Sequence, residues 1–298
     1  MNLKHLLNIE SLGRNEIEDI LNMAKLIEKN PDKFKNDLDN KVLAILFFQP
    51  STRTRIGFSV AMQKLGGNVV SLFETKKEKN MSEGESLEDT IKIIGDYSDV
   101  ICLRHYSENS TNIAIKTINK PIINCGNGNG QHPTQTLIDL YTIKKEFNRL
   151  DNLKISIIGD LKNMRSAHSL IIGLSLFQGN KIKLVAPDCL KMPKNYLDKI
   201  KNSNFKLSNS KYFEINDEDI IYMAGMPITP RINSKKRNSY QMNASRAAKM
   251  KKGSIIMNPL PRIDEIAKDV DESTHAKYFQ QSANGLFVRM AILKLIFS

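Results

Sequence analysis

The sequence contains little cysteine and no long apolar run. These absences argue against a disulfide-rich secreted protein and against a membrane protein. Its 298 residues include only three cysteines, Cys102, Cys125 and Cys189, an odd number without metal-ligand spacing. No apolar run approaches the ~20 residues of a membrane span. The first residues, Met1 to His5, lack the apolar stretch of a signal peptide. We therefore expect a cytoplasmic protein with reduced cysteines and no membrane partner.

Known nucleic-acid-binding motifs, internal repeats and low-complexity segments are also absent. The formal net charge is +12, which could by itself suit an anionic polymer. The lysines are spread along the whole chain, however, so we expect no nucleic acid partner and an attraction for small anionic substrates instead. With 41% hydrophobic and 26% charged residues, the chain is long enough for one large or two medium globular domains.

The sequence does contain apolar strands that alternate with helical patterns. Residues 3–30 read as a first helix, with apolar residues on one face between 17 and 27. Further helices are predicted from 52, from 87, over 134–147, from 166, over 196–200 and over 286–296. Apolar runs predict buried strands at 42–46, 69–73, 100–103, 122–124, 155–160, 183–187, 220–223 and 254–257. This alternation predicts parallel βαβ units and hence an α/β fold.

The strand pattern restarts near residue 151, which predicts two domains. Each would be a doubly wound parallel sheet, and helices that include 134–147 would bridge them. The final apolar helix would pack back on the first domain. We therefore expect one domain over 1–133 plus 285–298, and a second over 134–284.

The stretch from Phe47 to Arg55 is the strongest candidate for a functional site. It leads from a buried strand into a helix, where Ser51 and Thr52 are predicted to accept hydrogen bonds from first-turn amides. Amide groups at a helix N-terminus, at the positive end of the helix dipole, form an anion site that suits phosphate. The alternative interpretation is an ordinary capped helix with two exposed arginines, Arg53 and Arg55.

Two other strand ends carry polar residues. Arg104 and His105 follow the strand at 100–103, at the carboxyl end where open parallel sheets place ligand groups. His132 and Gln135 follow the glycine-containing loop 126–130, and Pro133 between them suits the first turn of a helix. Taken alone, a histidine such as His132 is more often a structural residue, hydrogen-bonded in the core, than a ligand.

Together these motifs resemble the aspartate/ornithine carbamoyltransferase family over essentially the whole chain. The motifs are Ser-Thr-Arg-Thr-Arg at 51–55, His-Pro-Thr-Gln at 132–135, Gly-Asp-Leu-Lys at 159–162 and Pro-Leu-Pro-Arg at 259–262. His-Pro-Thr-Gln is the aspartate-type form of its motif. The resemblance implies the two-domain fold of that family, in which the first domain binds carbamoyl phosphate and the second binds the amino acid.

The resemblance also implies a reaction: transfer of a carbamoyl group from carbamoyl phosphate to an amino-acid amine. The expected acceptor is aspartate, which would give carbamoyl-aspartate and phosphate in pyrimidine biosynthesis. Catalysis would proceed by orientation and electrostatic stabilisation, without a metal, a cofactor or a covalent intermediate.

Site residues follow by matching motif positions. The carbamoyl phosphate ligands would be Ser51, Thr52, Arg53, Thr54, Arg104, His132, Gln135 and Leu260, of which Arg53, Arg104 and His132 would be catalytic. Arg104 would touch phosphate and carbonyl oxygen, while His132 and Gln135 would hold the carbonyl oxygen and the carbamoyl amide. The amino-acid ligands would be Arg104, Arg165, Leu260 and Pro261, with a cis bond between Leu260 and Pro261.

Several positions depart from the family pattern. Glu83 stands where the family has a lysine that reaches a neighbouring subunit's site, and a carboxylate there would repel a dianion. Gly225 and Pro227 replace an Arg-x-Gln pattern that binds the aspartate side chain. Gln49 replaces a glutamate that pairs on domain closure, and Asn258 replaces a frequent histidine. Each lost charge-assisted contact would cost about 1.5–3 kcal/mol.

These departures leave alternatives open: a weak or inactive homologue with a regulatory or assembly role, or a transferase for a different amine. Arg231 and Arg237 lie near position 225 but several residues out of register. The resemblance further implies a homotrimer, possibly joined by a related catalytic or regulatory chain.

Overall fold

The structure is a computed structural model and describes residues 3–73, 85–226 and 232–298. The strands are β1 (Val42–Phe47), β2 (Asn68–Phe73), β3 (Val100–His105), β4 (Ile122–Asn127), β5 (Lys154–Ile158), β6 (Lys181–Val185), β7 (Lys206–Ser210), β8 (Ile220–Met223) and β9 (Ile255–Met257). The α-helices are α1 (Arg14–Lys29), α2 (Thr52–Lys64), α3 (Leu87–Asp96), α4 (Ser110–Thr117), α5 (Pro133–Phe147), α6 (Arg165–Ser175), α7 (Lys194–Ile200), α8 (Ser234–Asn238), α9 (Ala244–Ala247) and α10 (Tyr278–Ile296).

The chain divides into two compact units. Unit 1 comprises Met1–Leu137 and Gly285–Ser298, and unit 2 comprises Ile138–Asn284. The divisions therefore fall inside α5 and α10. No helix in the described ranges is long and apolar enough to cross a membrane.

Unit 1 contains a parallel sheet with the strand order β2-β1-β3-β4. Its central strand β1 is buried from Leu43 to Phe47, as expected for a parallel strand that is covered on both faces. The order reverses at β1, because β2 lies on one side and β3 on the other. Phe47 pairs with Arg104, and the Phe48 amide donates to the Arg104 carbonyl at 2.8 Å. The loops after β1 and β3 therefore emerge side by side, where such sheets bind ligands.

Unit 2 contains a parallel sheet with the order β7-β6-β5-β8-β9, which reverses at β5. The loops after β5 and β8 meet, since the Asp160 amide donates to the Gly225 carbonyl at 2.8 Å. Gly159 and Gly225 have φ values of +127° and +88°, in the region that favours glycine. A Cβ at Gly159 would lie 2.2 Å from the Gly225 oxygen. Two doubly wound parallel α/β sheets confirm the predicted fold class.

The predicted helix over 3–30 is wrong in its first part, because α1 begins only at Arg14. The preceding segment instead runs beside β4, the edge strand of its sheet. The Leu6 amide donates to the Ile122 carbonyl at 2.9 Å, and the Asn124 amide donates to the Leu6 carbonyl at 2.8 Å. These bonds satisfy an edge that would otherwise present free backbone groups.

Strand β7 was not predicted, since its sequence Lys-Leu-Ser-Asn-Ser lacks an apolar run and its first four residues are exposed. The final helix does pack on unit 1, as predicted: the Leu3 amide donates to the Leu295 carbonyl at 3.1 Å, and Lys294 pairs with Asp37 at 2.8 Å. The predicted loop over 74–85 falls, except for its last residue, outside the described residues, as do Glu83, Pro227 and Arg231.

Candidate active site

The N-terminus of α2 follows β1 after a short loop that contains Gln49. Ser51 is the N-cap residue, but its side chain makes no capping hydrogen bond, so the predicted cap by this hydroxyl is wrong. The first helical bond runs from the Arg55 amide to the Ser51 carbonyl at 3.1 Å. The amides of Thr52, Arg53 and Thr54 belong to the part of a helix that has no acceptor within the helix. This arrangement leaves first-turn donors available for an anion.

Two arginines from neighbouring elements lie at this helix end. Arg53 is exposed, and partial burial lowers the pKa of its guanidinium. Arg104 ends β3 and is largely buried; its Nη1 donates to the Cys125 carbonyl at 2.9 Å. Burial lowers the pKa of Arg104, and the nearby charge of Arg53 lowers it further. The Nε atom of Arg104 is buried and has no hydrogen-bond partner among the described residues.

A third arginine, Arg289 on α10, lies beneath the same helix. Only 6% of its surface is exposed, and its guanidinium carbon lies 5.6 Å from the centre of the Phe58 ring. A Cβ at Gly57 would lie 2.5 Å from Arg289 Nη1. Burial lowers the pKa of Arg289 to about 10, and the charge of Arg53 acts in the same direction. Arg289 was not among the predicted site residues; the available signal was one arginine in the largely apolar stretch 286–296 of α10.

None of these three arginines forms an ion pair with a carboxylate of the described residues. Buried charges in proteins are normally paired, because removal of an ion from water costs several kcal/mol. The cluster of Arg53, Arg104 and Arg289 therefore has an excess of positive charge at a helix N-terminus. Such a site favours a ligand with more than one negative charge.

The loop after β4 brings His132 and Gln135 to the same edge of the sheet. Pro133 begins α5, as predicted, and the Gln135 amide donates to the His132 carbonyl at 3.0 Å. His132 is 9% exposed, and its Nδ1 lies 3.1 Å from the Thr134 hydroxyl oxygen. Arg104 is anchored to β4 through the Cys125 carbonyl. Since β1, β3 and β4 are neighbours in the sheet, all the predicted carbamoyl phosphate ligands except Leu260 lie at adjacent strand ends of unit 1.

His105, the second polar residue at the end of β3, faces an aromatic environment instead. Its ring lies 5.0 Å from that of Phe48 and 4.0 Å from that of Tyr106. Its Nδ1 accepts from the Ser107 amide at 2.9 Å. Burial lowers the pKa of His105, which favours the neutral imidazole.

In unit 2, Arg165 begins α6 directly after the β5 loop and is half-buried. The loop before it is shaped by Asp160, whose Oδ1 accepts from the amides of Lys162 and Asn163 at 3.2 and 3.1 Å. Arg165 thus occupies the carboxyl edge of the second sheet, beside its strand reversal. An arginine there suits a carboxylate.

The predicted loop at Leu260 and Pro261 lies at the same edge, after β9. The bond between them is cis, as predicted, and Leu260 has φ +52°. Asn258 holds the loop: its Oδ1 accepts from the Leu260 amide at 2.6 Å, and its Nδ2 donates to the Met223 carbonyl and to Glu265 Oε1 at 3.0 and 2.9 Å. The residue that departs from the family pattern therefore has a full structural role.

Asn258 is the end of a buried polar network. Gln281 Oε1 accepts from the Asn258 amide at 2.9 Å, and Gln281 Nε2 donates to Asp139 Oδ1 at 2.6 Å. Tyr222 donates its phenol proton to Asp139 Oδ2 at 3.0 Å. Burial raises the pKa of Tyr222 far above its usual range, and the neighbouring Asp139 adds to the effect. The sequence signal for this network was weak: isolated polar residues in apolar helix faces.

Arg237 forms an ion pair with Asp264, which lies four residues beyond Leu260. It thus lies against the Leu260 loop, although it is out of register with the family's usual arginine. Within the ranges described, no cluster of three or more His, Cys, Asp or Glu residues could hold a metal ion.

Both units are parallel α/β sheets with positively charged residues at the carboxyl edge. Unit 1 has a site for an anion, and unit 2 has an arginine beside a shaped loop. These features are typical of enzymes that bind small anionic substrates. A family model described as aspartate/ornithine carbamoyltransferase, carbamoyl-P binding domain, matches residues 4–145. A second, described as aspartate/ornithine carbamoyltransferase, Asp/Orn binding domain, matches residues 151–296. The chain therefore belongs to the aspartate/ornithine carbamoyltransferase family.

Relatives that match this chain over nearly its full length include aspartate carbamoyltransferase catalytic subunits. The aspartate carbamoyltransferase catalytic subunit of Methanococcus maripaludis is 44% identical over 99% of this chain and 98% of its own length. The structure of the Methanocaldococcus jannaschii catalytic subunit has a TM-score of 0.91 at 41% identity, over 99% and 98% of the two chains. Aspartate transcarbamoylase from Trypanosoma cruzi, in complex with carbamoyl phosphate and aspartate, has a TM-score of 0.93 at 33% identity, over 99% and 96%.

Proposed function

We propose that this protein transfers the carbamoyl group of carbamoyl phosphate to the amine of aspartate, which gives carbamoyl-aspartate and phosphate for pyrimidine biosynthesis. The observation that carries this proposal is the cluster of Arg53, Arg104 and Arg289, which has no carboxylate partner among the described residues. Carbamoyl phosphate is a dianion with a reactive carbonyl, and it supplies the charge that this cluster lacks. The full-length similarity to aspartate carbamoyltransferase catalytic subunits supports the same reaction.

Unit 1 would bind carbamoyl phosphate. The first-turn amides of α2, the side chains of Ser51, Thr52 and Thr54, and the guanidinium of Arg53 would hold the phosphate oxygens. Arg104, fixed by its bond to the Cys125 carbonyl, would donate to both phosphate and carbonyl oxygen. Donors that are fixed before the reaction stabilise the negative charge that develops on the carbonyl oxygen.

His132 and Gln135 would hold the carbamoyl group itself. If the Thr134 hydroxyl donates to His132 Nδ1, across the 3.1 Å between them, the imidazole proton lies on Nε2 and can be donated to the carbonyl oxygen. The Gln135 side chain would accept from the carbamoyl amide. The neutral amine then attacks the carbonyl carbon, the C–O bond breaks so that phosphate leaves with its electron pair, and the proton lost by the amine ends on the phosphate.

Unit 2 would bind the acceptor. Arg165 would pair with an aspartate carboxylate, and the backbone at Leu260 and Pro261, held by Asn258, would contact both substrates. Because orientation of the two reactants can supply much of the rate enhancement, the rigidity of this loop is part of the proposed mechanism.

On sequence alone, the departures at Glu83, Gly225, Pro227 and Gln49 leave open a weak or inactive homologue, or a transferase for another amine. Relatives that are 40–44% identical over nearly the full length are aspartate carbamoyltransferase catalytic subunits, so neither alternative is favoured. Retention of Arg165 and of the complete first-substrate motifs supports the aspartate reaction.

The test is formation of carbamoyl-aspartate from isotopically labelled carbamoyl phosphate and aspartate by the purified protein. We expect turnover by the wild-type protein and a loss of at least about 100-fold in kcat/KM for Arg53→Ala, since a charged ligand to the phosphate is removed. The variant also serves as the control for a contaminating enzyme. No labelled product, or equal product from both proteins, would refute the proposal.

We further propose that the protein is a cytoplasmic homotrimer, as the family resemblance implies. Sedimentation velocity at micromolar concentration is expected to give one species with three times the mass of the chain. A purely monomeric protein would contradict this assembly, and a larger species after addition of cell extract would indicate a related catalytic or regulatory chain.

A further inference from the structure

Arg289 carries a buried positive charge, and the mechanism proposed for carbamoyl transfer gives this residue no role. We propose that Arg289 is a positioning residue for the phosphate site, which acts through Arg53 and the first turns of α2. The inference rests on the proposed function, because it concerns the affinity of the same site for its dianion. Its evidence is the position of the Arg289 guanidinium against α2 and the absence of a carboxylate near it in the described part of the chain.

The contacts place Arg289 one helical turn from Arg53. Residues four apart lie on the same face of a helix, so Gly57 lies on the face of α2 that carries Arg53. The Arg289 guanidinium occupies the space that a side chain at Gly57 would fill, with Nη1 2.5 Å from the position of a Cβ. The Phe58 ring, 5.6 Å from the guanidinium carbon, forms another wall of this space.

The two guanidinium groups repel each other, and only one of them is free to respond. Arg289 is enclosed by α2 and α10, whereas the side chain of Arg53 is exposed. The repulsion therefore holds Arg53 outward, on the solvent side of the first turn, where the phosphate would bind. A bound dianion attracts both charges and offsets their repulsion. Arg289 thus strengthens anion binding without contact with the substrate.

A purely structural role, in which Arg289 only fills space against Phe58, predicts different behaviour. We would measure inorganic phosphate binding by titration calorimetry for the wild type, Arg289→Met, Arg289→Lys and Lys64→Met. Methionine keeps much of the volume and removes the charge, while lysine keeps the charge. Lys64 lies in the last turn of α2, exposed, and its variant controls for loss of a positive charge from the same region.

For Arg289→Met we expect a phosphate Kd about tenfold higher than that of the wild type, since one charge near the dianion is lost. Arg289→Lys should stay within about threefold and Lys64→Met within about twofold, because both keep the charge beneath Gly57. Without phosphate, Arg289→Met should melt at no lower temperature than the wild type, since an unpaired buried charge has been replaced by an apolar group. The rise in Tm on phosphate addition should shrink in the same variant.

An unchanged Kd in folded Arg289→Met, or a similar fall in Tm for both Arg289 variants without a change in Kd, would overturn the inference. If Arg289→Met does not fold, Gly57→Ala moves the guanidinium while it keeps the charge, and phosphate binding should weaken severalfold. Gly95→Ala, on α3 beside Ile118, is its matched control and should bind like the wild type. A wild-type protein that does not bind phosphate would refute both the inference and the proposed function, whereas phosphate binding without carbamoyl transfer would refute only the function.

Discussion

Arg104→Met is expected to lower kcat/KM for carbamoyl phosphate by roughly 10³-fold, because it removes a fixed donor to the developing oxyanion. The guanidinium is largely buried, and its Nη1 is committed to the Cys125 carbonyl, so the remaining donors are aimed before substrate arrives. In the proposed mechanism Arg104 contacts both the phosphate and the carbonyl oxygen, so its loss should affect both KM and kcat. We therefore expect a higher KM for carbamoyl phosphate together with a lower kcat, in steady-state kinetics with aspartate at saturation.

Two further variants make this result interpretable. Arg104→Lys keeps the charge but cannot bond the Cys125 carbonyl and the substrate with one planar group, so an intermediate loss is expected. Lys116→Met removes an exposed charge elsewhere in unit 1 and should leave the rate unchanged. A folded Arg104→Met enzyme within tenfold of the wild type would show that this arginine is not catalytic.

Asp139→Ala is expected to reduce the free energy of unfolding by about 3–5 kcal/mol, since it leaves the Tyr222 hydroxyl and the Gln281 amide buried without an acceptor. The bond from Gln281 to Asp139 joins residues 142 positions apart, so its loss weakens the attachment of α10 to α5 within unit 2, which Asn284 also maintains through Thr142. Gln281 also accepts from the Asn258 amide. The variant should therefore loosen the Leu260 loop as well.

Chemical denaturation followed by circular dichroism would measure this loss, because the chain has no tryptophan to report by fluorescence. If the two units unfold in separate transitions, the shift should fall on that of unit 2. Asp139→Asn keeps one acceptor oxygen, and a smaller loss of about 1–2 kcal/mol is expected. A change below about 1 kcal/mol for Asp139→Ala would mean that the two donors find other partners.

The positions of the proposed first-substrate residues at the strand ends could be predicted from local sequence, whereas their roles came from the family resemblance. Arg53, Arg104 and His132 each follow the carboxyl end of a strand, and parallel strands bring those ends to one edge. The chemistry of each motif and its place in the fold could therefore be read together. Arg165 and the Leu260 loop were assigned by their match to the family motifs, and the structure places both at the carboxyl edge of the second sheet.

The residues that pack around the site could not be predicted, because their partners are distant in the sequence. Nothing local marks Arg289 as lying beneath Gly57, or Gln281 as the link between Asp139 and Asn258. The predicted helix before Arg14 failed for the same reason. Its apolar spacing suits a helix, but the open edge of β4 offers backbone hydrogen bonds that local spacing does not reveal.

The tight contact between Gly159 and Gly225 limits which residues position 225 can accommodate. The family resemblance places an arginine at position 225. Here such a residue would have to adopt φ +88°, a backbone conformation that is rare for residues with a Cβ. The Gly225 carbonyl accepts a hydrogen bond from the Asp160 amide, and its oxygen lies 2.2 Å from where a Cβ of Gly159 would stand. An arginine at position 225 would therefore require the backbone of the two loops to shift as well.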